Sequence, residues 1–141
     1  MADAPRRRSI EVEGFGHGGQ PIPAASRIAN VVMTGGISGL DPATHAIPEG
    51  VDAQCAQMFR NLAKILAAAG AAPQDVVKLT VYVTDRSARE AVNREWLAMF
   101  PDEASRPARH TLVYELPGGM LVQCEAVAVL AEVESSFDDN R

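Results

Sequence analysis

The stretch DAQCAQMFRNLAKILAAAGAAPQDVVKLTVYVTD, residues 52–85, decides the fold because its apolar pattern changes period partway along. In the first half, apolar side chains recur at steps of three and four residues and mark one face of a helix: Cys55, Met58, Leu62, Ile65, Leu66 and Ala69. Gly70 then offers a C-terminal cap, since a left-handed backbone costs glycine little. Residues 75–85 alternate and predict a strand.

A second helix is predicted immediately downstream of that strand. Ser87 and Glu90 fit a capping box, in which the serine hydroxyl accepts from an early helix amide and the glutamate reaches back. This helix is expected to run to about Phe100. After a loop, residues 106–132 contain two β-patterned runs joined by Pro-Gly-Gly, which predicts a hairpin.

Shorter strands are predicted before the first helix. Residues 9–15 alternate and predict an edge strand, and residues 26–38 are rich in β-branched side chains and leave into a turn at Gly35-Gly36. Two helices then serve a sheet of about five strands. This ratio favours an α+β fold, with a mixed sheet and both helices packed on one face.

The last strand has a consequence for assembly. The run LVQCEAVAVLA, residues 121–131, is apolar almost throughout, which is typical of a strand buried on both faces. With both helices on one side, a single chain has nothing left to cover the other side of the sheet. We therefore expect an oligomer in which the sheets of several chains pack together.

Length, composition and charge narrow the class of protein. The 141 residues suit one domain, which we place at residues 9–132, between a disordered tail at 1–8 and a polar tail at 133–141. A net charge of −5 argues against a nucleic-acid partner. No apolar run approaches the ~20 residues that span a bilayer, and no signal peptide is evident, so we expect a cytoplasmic protein without a membrane partner.

The cysteines and two of the histidines offer little chemistry. Cys55 and Cys124 do not make a disulfide framework and have no partner at metal-ligand spacing, so we expect buried thiols and no metal site. His17 lies between glycines and His45 lies in a loop, and both are interpreted as solvated residues.

Several polar or flexible positions are candidates for a site. Arg109 begins a strand, and its planar guanidinium matches a carboxylate, although a surface ion pair is the commoner role of an arginine. Gln123 is an amide within an apolar run, where it could belong to a site or be satisfied by backbone at an interface. Gly35-Gly36 could present amides to a ligand or make a turn, and Asn93 could be a contact or helix surface. His110 points away from the face of Arg109, because strand neighbours alternate.

The ordered set of these segments resembles the Rid family, also called YjgF or endoribonuclease L-PSP. The resemblance covers about residues 26–130. No single segment is diagnostic, but together they are highly specific. The segments are GG (35–36), Gln54 with NL (61–62) and AAG (68–70), DVVKLTVY (75–82), VN (92–93), PAR (107–109), LP (116–117) and EAVAV (125–129).

The resemblance implies a fold and an activity. The fold would be a chorismate-mutase-like α+β domain that assembles as a homotrimer, with the sheets forming an inner barrel and a ligand cleft at each subunit interface. The activity would be hydrolysis of reactive 2-enamino and 2-imino acids to 2-oxo acids and ammonia. No cofactor would be needed, and the partner would be a small carboxylate-bearing metabolite.

Carried over position by position, the resemblance also assigns roles. Arg109 matches the arginine that clamps the substrate carboxylate. Gly36, with Gly35 beside it, matches the lining of the cleft, Asn93 matches an asparagine near it, and Thr111 stands where the family often has Cys, Ser or Thr. Gln123 stands where deaminating members have the glutamate that positions and helps to activate the attacking water.

Two departures from the family pattern bear on catalysis. The segment QPIPAAS, residues 20–26, replaces one whose tyrosine lines the cleft, so Ile22 or a neighbour takes the place of that ring. Gln123 replaces the glutamate, and an amide can hold a water but cannot take its proton near neutral pH. Loss of a general base typically costs about 10²–10⁴-fold in rate. Whether His110, Glu115 or a neighbouring chain supplies a base stays open.

Three hypotheses follow from these residues. The first is an enamine and imine deaminase with an altered water-activating position, since Arg109 is present and imines hydrolyse readily. The second is a module that binds a small carboxylate, without turnover or with a different specificity. The third is an endoribonuclease or translation inhibitor, which the acidic charge and the lack of a basic groove disfavour.

Overall fold

The computed structural model describes residues 5–131, which form seven strands and two α-helices, with three single-turn 3-10 helices in the connections. The strands are β1 (Arg7–Ile10), β2 (Ala25–Ile28), β3 (Val31–Thr34), β4 (Ile37–Ser38), β5 (Val76–Val83), β6 (Ala108–Val113) and β7 (Val122–Val129). The helices are α1 (Val51–Ala68) and α2 (Arg89–Met99). The 3-10 helices are His17–Gly19, Pro73–Asp75 and Arg86–Ala88.

The strands form one mixed sheet in the order β1-β2-β3-β7-β5-β6, with β4 also pairing with β7. Only β5 and β6 run parallel, and every other neighbouring pair is antiparallel. The predicted α+β class with two helices and a mixed sheet is confirmed.

The two faces of the sheet are unlike. Along β7, Val122, Cys124, Ala126 and Ala128 are buried on the side of the helices. The alternate side chains are only partly buried or exposed, as expected of a face that a single chain has nothing left to cover. Burial of this strand on both faces of an oligomer stays a prediction. The uncovered face is apolar in part, with Val31, Met33 and Val129 at 37%, 55% and 42% exposure.

Helix α1 supplies the largest part of the core. Met58, Leu62 and Leu66, from the apolar stripe of the sequence, are fully buried. Gly70 follows with φ +85°, which confirms the predicted left-handed ending.

Helix α2 begins differently from the prediction. The carboxylate of Asp85 accepts from the backbone N–H of Ser87 at 2.9 Å and opens the 3-10 turn Arg86–Ala88, from which α2 continues. The predicted Ser87–Glu90 capping box is therefore wrong, because an acceptor two residues earlier already takes that amide. This hydrogen bond holds the pKa of Asp85 below its usual value.

The predicted strand over 26–38 is three strands. Ala29 adopts a left-handed φ of +53°, and the chain reverses so that Ile28 pairs with Val31. A second break at Gly35-Gly36 separates β3 from β4. The first break has no glycine or proline signal, because an alanine occupies the left-handed position.

The predicted hairpin over 106–132 is also wrong, since β5 lies between β6 and β7. Helix α2 is the crossover that lets β6 lie parallel to β5, and the chain then passes over β5 to reach β7. A Pro-Gly-Gly segment between two β-patterned runs does not distinguish this connection from a tight turn.

The predicted N-terminal strand and terminal tails can be compared with the structure only where it describes the chain. Strand β1 begins at Arg7 and pairs with β2 at the end of the sheet, so an edge strand is confirmed but the predicted tail over 1–8 is wrong at its last two residues. Residues 1–4 and the predicted tail over 133–141 lie outside the described residues. Within residues 5–131, neither helix has the length and apolarity needed to cross a bilayer.

Candidate functional site

A cavity of about 430 Å³ lies where β3 gives way to β4. Residues that line it include Phe15, His17, Gly36, Asn61, Met120 and Gln123. The walls are mostly apolar or backbone, with a few polar groups, which is the usual character of a small-molecule site.

Gln123 and Gly36 meet in this cavity. Gln123 of β7 pairs with Ser38 of β4, so the break before β4 places Gly36 against the glutamine. A Cβ atom on Gly36 would lie 3.0 Å from Gln123 Nε2, closer than ordinary packing allows. Glycine at this position therefore leaves room for the amide to lie over the backbone, as a cleft-lining role requires.

Arg109 is held on a different part of the molecule. Its Nη2 donates to Asn93 Oδ1 on α2 at 2.7 Å, and its guanidinium carbon lies 4.9 Å from the ring centroid of Trp96. The other terminal nitrogen, Nη1, is buried and has no hydrogen-bond partner among the described residues. The guanidinium is thus fixed by neutral groups, with its buried Nη1 left unpaired.

The electrostatics around Arg109 favour an anion. Burial, and then the charge of Arg89, lower the pKa of Arg109, because both disfavour a cation at this place. Within the described residues, the ion pair between Arg94 and Asp52 lies elsewhere, on exposed side chains. A bound carboxylate would supply the missing negative charge and an acceptor for Nη1.

Thr111 and Arg89 extend this cationic site. Thr111 lies two residues after Arg109 on the same face of β6, and its hydroxyl is buried without a partner among the described residues. Thr111, Arg86 and Arg89 line a neighbouring cavity of about 80 Å³. Sequence reasoning missed Arg89, although three arginines within the segment 86–94 were a visible signal.

Arg109 and Gln123 do not meet within one chain. Arg109 pairs with buried Leu79 and so faces the helices, whereas Gln123 lies between buried Val122 and Cys124 and faces the other way. From two strand spacings and three residue rises, their Cα atoms are roughly 14 Å apart. One chain therefore has two separate groups of candidate residues, which we name the cationic half-site (Arg109, Asn93, Thr111, Arg89) and the amide half-site (Gly36, Gln123, His17).

The other candidate residues lie in different places relative to the cavity and to Arg109. His110 lies on the opposite face of β6 from Arg109, as predicted. Ile22 is 49% exposed and is not among the residues lining the cavity, where the ring of Phe15 lies instead. His17 is half-buried in the cavity wall, so its interpretation as a solvated loop residue is wrong. His45 is exposed, although it also lines the cavity.

Thiol and metal chemistry find no support among the described residues. Cys55 and Cys124 are free and buried, and burial raises the pKa of the Cys55 thiol to about 12 and that of Cys124 even further. Neither is a thiolate nucleophile near neutral pH. Within residues 5–131, no three His, Cys, Asp or Glu side chains are grouped as metal ligands would be.

Comparison with known proteins identifies relatives of this chain. The family model described as endoribonuclease L-PSP matches residues 21–130. A 2-iminobutanoate/2-iminopropanoate deaminase of Salmonella typhimurium is 38% identical over 104 residues, covering 72% of this chain and 81% of that protein. A RutC family protein of Aquifex aeolicus is 34% identical over 110 residues, covering 77% and 88%.

A solved structure of similar fold has a ligand. The crystal structure of Escherichia coli TdcF with bound serine superposes with a TM-score of 0.79 at 27% identity. The match covers 88% of this chain and 99% of that one.

Proposed function

Because the chain belongs to the endoribonuclease L-PSP family, the Rid family that its sequence resembles, we propose that it is a hydrolytic deaminase of 2-imino and 2-enamino acids. The products are a 2-oxo acid and ammonia. The relative named 2-iminobutanoate/2-iminopropanoate deaminase supports this reaction class, and no cofactor enters it.

The observation that best supports the proposal is the state of Arg109. Its guanidinium is oriented by Asn93 and Trp96, yet its Nη1 is buried without a partner. A desolvated donor on a fixed cation is suited to a carboxylate, the group that every 2-imino acid has. TdcF crystallised with serine, which also has a carboxylate.

We further propose that the working cleft lies between two copies of the chain in a homotrimer. The cationic half-site of one copy faces the amide half-site of its neighbour, because one chain turns them to opposite sides of its sheet. The uncovered apolar face, with Met33 and Val129, is then buried between sheets. Light scattering should give three times the 15.0 kDa chain mass, and a monomer would contradict the shared cleft.

In this cleft, Arg109 binds the carboxylate and fixes the C=N carbon near Gln123. The Gln123 amide hydrogen-bonds the attacking water but cannot remove its proton. Hydrolysis adds the water oxygen to the imine carbon and then expels ammonia from the resulting carbinolamine. Positioning of the substrate is the part of catalysis that these side chains supply.

A second candidate is a binding protein for small carboxylates. The glutamine at 123 favours it, since a carboxylate there would be a proton acceptor and an amide is not. Such a protein would bind serine or a 2-oxo acid through Arg109 without turnover. A ribonuclease is less favoured, because the chain has a net charge of −5.

The test is release of 2-oxo acid and ammonia from 2-aminoacrylate generated in situ by a dehydratase, corrected for spontaneous hydrolysis. Arg109→Ala should lower kcat/KM by about 100-fold, since truncating one partner of a desolvated ion pair costs about 2–5 kcal/mol. Arg109→Lys should retain part of the activity, because it keeps the charge but loses the planar fork.

Arg94→Ala is the matched control, because Arg94 is an exposed arginine on α2 whose ion pair lies on the surface. It should leave kcat/KM within about twofold. A wild type without activity that still binds serine in an Arg109-dependent way would favour the binding protein. Equal activity in Arg109→Ala and wild type would contradict both candidates.

A further inference from the structure

His17 shares the cavity with the glutamine that lacks catalytic basicity. A Cβ atom on Gly35 would lie 3.5 Å from His17 Nε2, and one on Gly36 would lie 3.0 Å from Gln123 Nε2. The imidazole and the amide therefore approach two consecutive residues, whose Cα atoms are about 3.8 Å apart. Both side chains line the same cavity.

The loop holds His17 in an unusual conformation. Its backbone has φ +41°, in the left-handed region that residues other than glycine rarely adopt. Glycines on both sides let the chain make this turn, and Gly18 and Gly19 have positive φ as well. The turn is closed by hydrogen bonds from Gly19 N–H to Gly16 O at 3.1 Å and from Gln20 N–H to His17 O at 3.2 Å. Strained backbone that persists in a cavity wall is a reason to examine the side chain for function.

The ring of His17 also has an unused polar atom. Its Nδ1 is buried and has no hydrogen-bond partner among the described residues. Buried ring nitrogens are nearly always paired, so this one calls for a partner such as a water or a bound ligand. Of the residues lining the cavity, only His17 and His45 have titratable side chains, and His45 is exposed.

We propose that His17 is the general base for the water that Gln123 positions, a role that rests on the deaminase function proposed above. The water oxygen bonds to the imine carbon, the C=N π pair moves to nitrogen, and the water proton goes to His17. The imidazolium then returns that proton to the amino nitrogen, and the C–N bond breaks as the hydroxyl oxygen forms the C=O bond. The hydroxyl proton passes through His17 to the departing ammonia. Iminium and water thus give a 2-oxo acid and ammonium, with no other reactant.

Histidine suits this step because imidazole exchanges a proton near neutral pH, whereas an amide does not. The charged groups that face the base are few. His45 also lines the cavity, and Gln123 and Asn61 are neutral. In the shared cleft proposed above, the guanidinium of Arg109 would come from the neighbouring copy. The base and the water-positioning group are then two residues, in place of one glutamate.

The experiment compares His17→Gln with wild type in the 2-aminoacrylate assay, each as the full chain. The variant should lose about 10²-fold in kcat with KM within about twofold, because a base acts on the chemical step and not on carboxylate binding. His17→Gln combined with Gln123→Glu should regain activity, since it restores a carboxylate acceptor.

His45→Gln is the matched control, because His45 also has a left-handed backbone, with φ +62°, but is exposed. It should keep kcat within about threefold of wild type. An active wild type with His17→Gln unchanged in kcat would overturn the role of His17 and leave the deaminase standing. An inactive wild type would overturn both.

Discussion

At the scale of the residue, the candidate site is defined by polar atoms that the folded chain leaves unpaired. Nη1 of Arg109, the hydroxyl of Thr111 and Nδ1 of His17 are buried without partners among the described residues. Each such atom costs stability in the isolated chain, because folding has removed its water without replacing it. A ligand or a neighbouring copy that pairs them recovers this cost, so they indicate where binding occurs.

Replacing the hydroxyl of Thr111 with a methyl group tests this interpretation. Thr111→Val should leave the free energy of unfolding unchanged or raise it by up to about 1 kcal/mol, because no hydrogen bond is lost in the free chain. The same variant should raise KM about five- to tenfold if the hydroxyl contacts the substrate carboxylate. Thr111→Ser, which keeps the hydroxyl, is the control. A Thr111→Val variant with unchanged KM would place the hydroxyl outside the substrate contacts.

Sequence reasoning found some of these residues and missed others for physical reasons. Arg109, Asn93 and Gln123 were found because a charge or an amide interrupts a patterned segment or matches the family. His17 was missed because a histidine among glycines is typical of a solvated loop. Its place in the cavity depends on how residues 14–19 pack against β3 and β4, which no local pattern encodes.

At the scale of the element, α1 positions the loops around the cavity through two buried amides. Nε2 of Gln54 donates to Pro48 O and Gly119 O at 3.0 and 3.3 Å, and Oε1 accepts from Leu121 N–H at 2.8 Å. Nδ2 of Asn61 donates to Ser38 O and Leu40 O at 2.9 and 2.8 Å. The helix thereby fixes the segments that lead into β7 and out of β4, and with them Gln123.

Replacing Gln54 tests this function of α1. Gln54→Leu should lower the free energy of unfolding by about 2–4 kcal/mol, because it leaves the carbonyls of Pro48 and Gly119 and the N–H of Leu121 without the buried amide that pairs them. Chemical denaturation measures the change. Gln74→Leu, at an exposed glutamine, should stay within about 0.5 kcal/mol of wild type. Equal stability of the two variants would mean that the loops are held by other contacts.

The elements themselves were predictable to the extent that periodicity determines them. The helix over 52–69 and the strand over 75–85 were found to within two residues, because each has a sustained period. The pairing of the strands could not be predicted, because β5 lies between β6 and β7 and no local pattern in residues 106–132 indicates this. The break at Ala29 was missed for a related reason, because alanine gives no turn signal.

At the scale of the whole molecule, the two half-sites raise the question of which copy supplies each of them. The amide half-site and the cationic half-site of one chain lie on opposite faces of the sheet, and the apolar face beside Gln123 is uncovered. The need for an oligomer could be argued from the sequence, since two helices cover one face only. The proposed division of the site between copies could not, because the case for it depends on the register of β5 with β6 and β7.

Complementation between two inactive variants tests this division most directly. Arg109→Ala removes the cationic half-site, and Gly36→Val places a side chain against Gln123 in the amide half-site. Each variant alone should be nearly inactive on 2-aminoacrylate. Equal amounts of the two variants are then unfolded and refolded together. Random assembly produces some interfaces that join an intact Arg109 to an intact Gly36.

If the cleft is shared between copies, the mixture should regain about one quarter of wild-type activity, the share of interfaces with both halves intact when chains assemble at random. The two variants refolded separately and then mixed without exchange should stay inactive. A refolded mixture with no more activity than its parts, from oligomers of wild-type size, would contradict a cleft shared between copies.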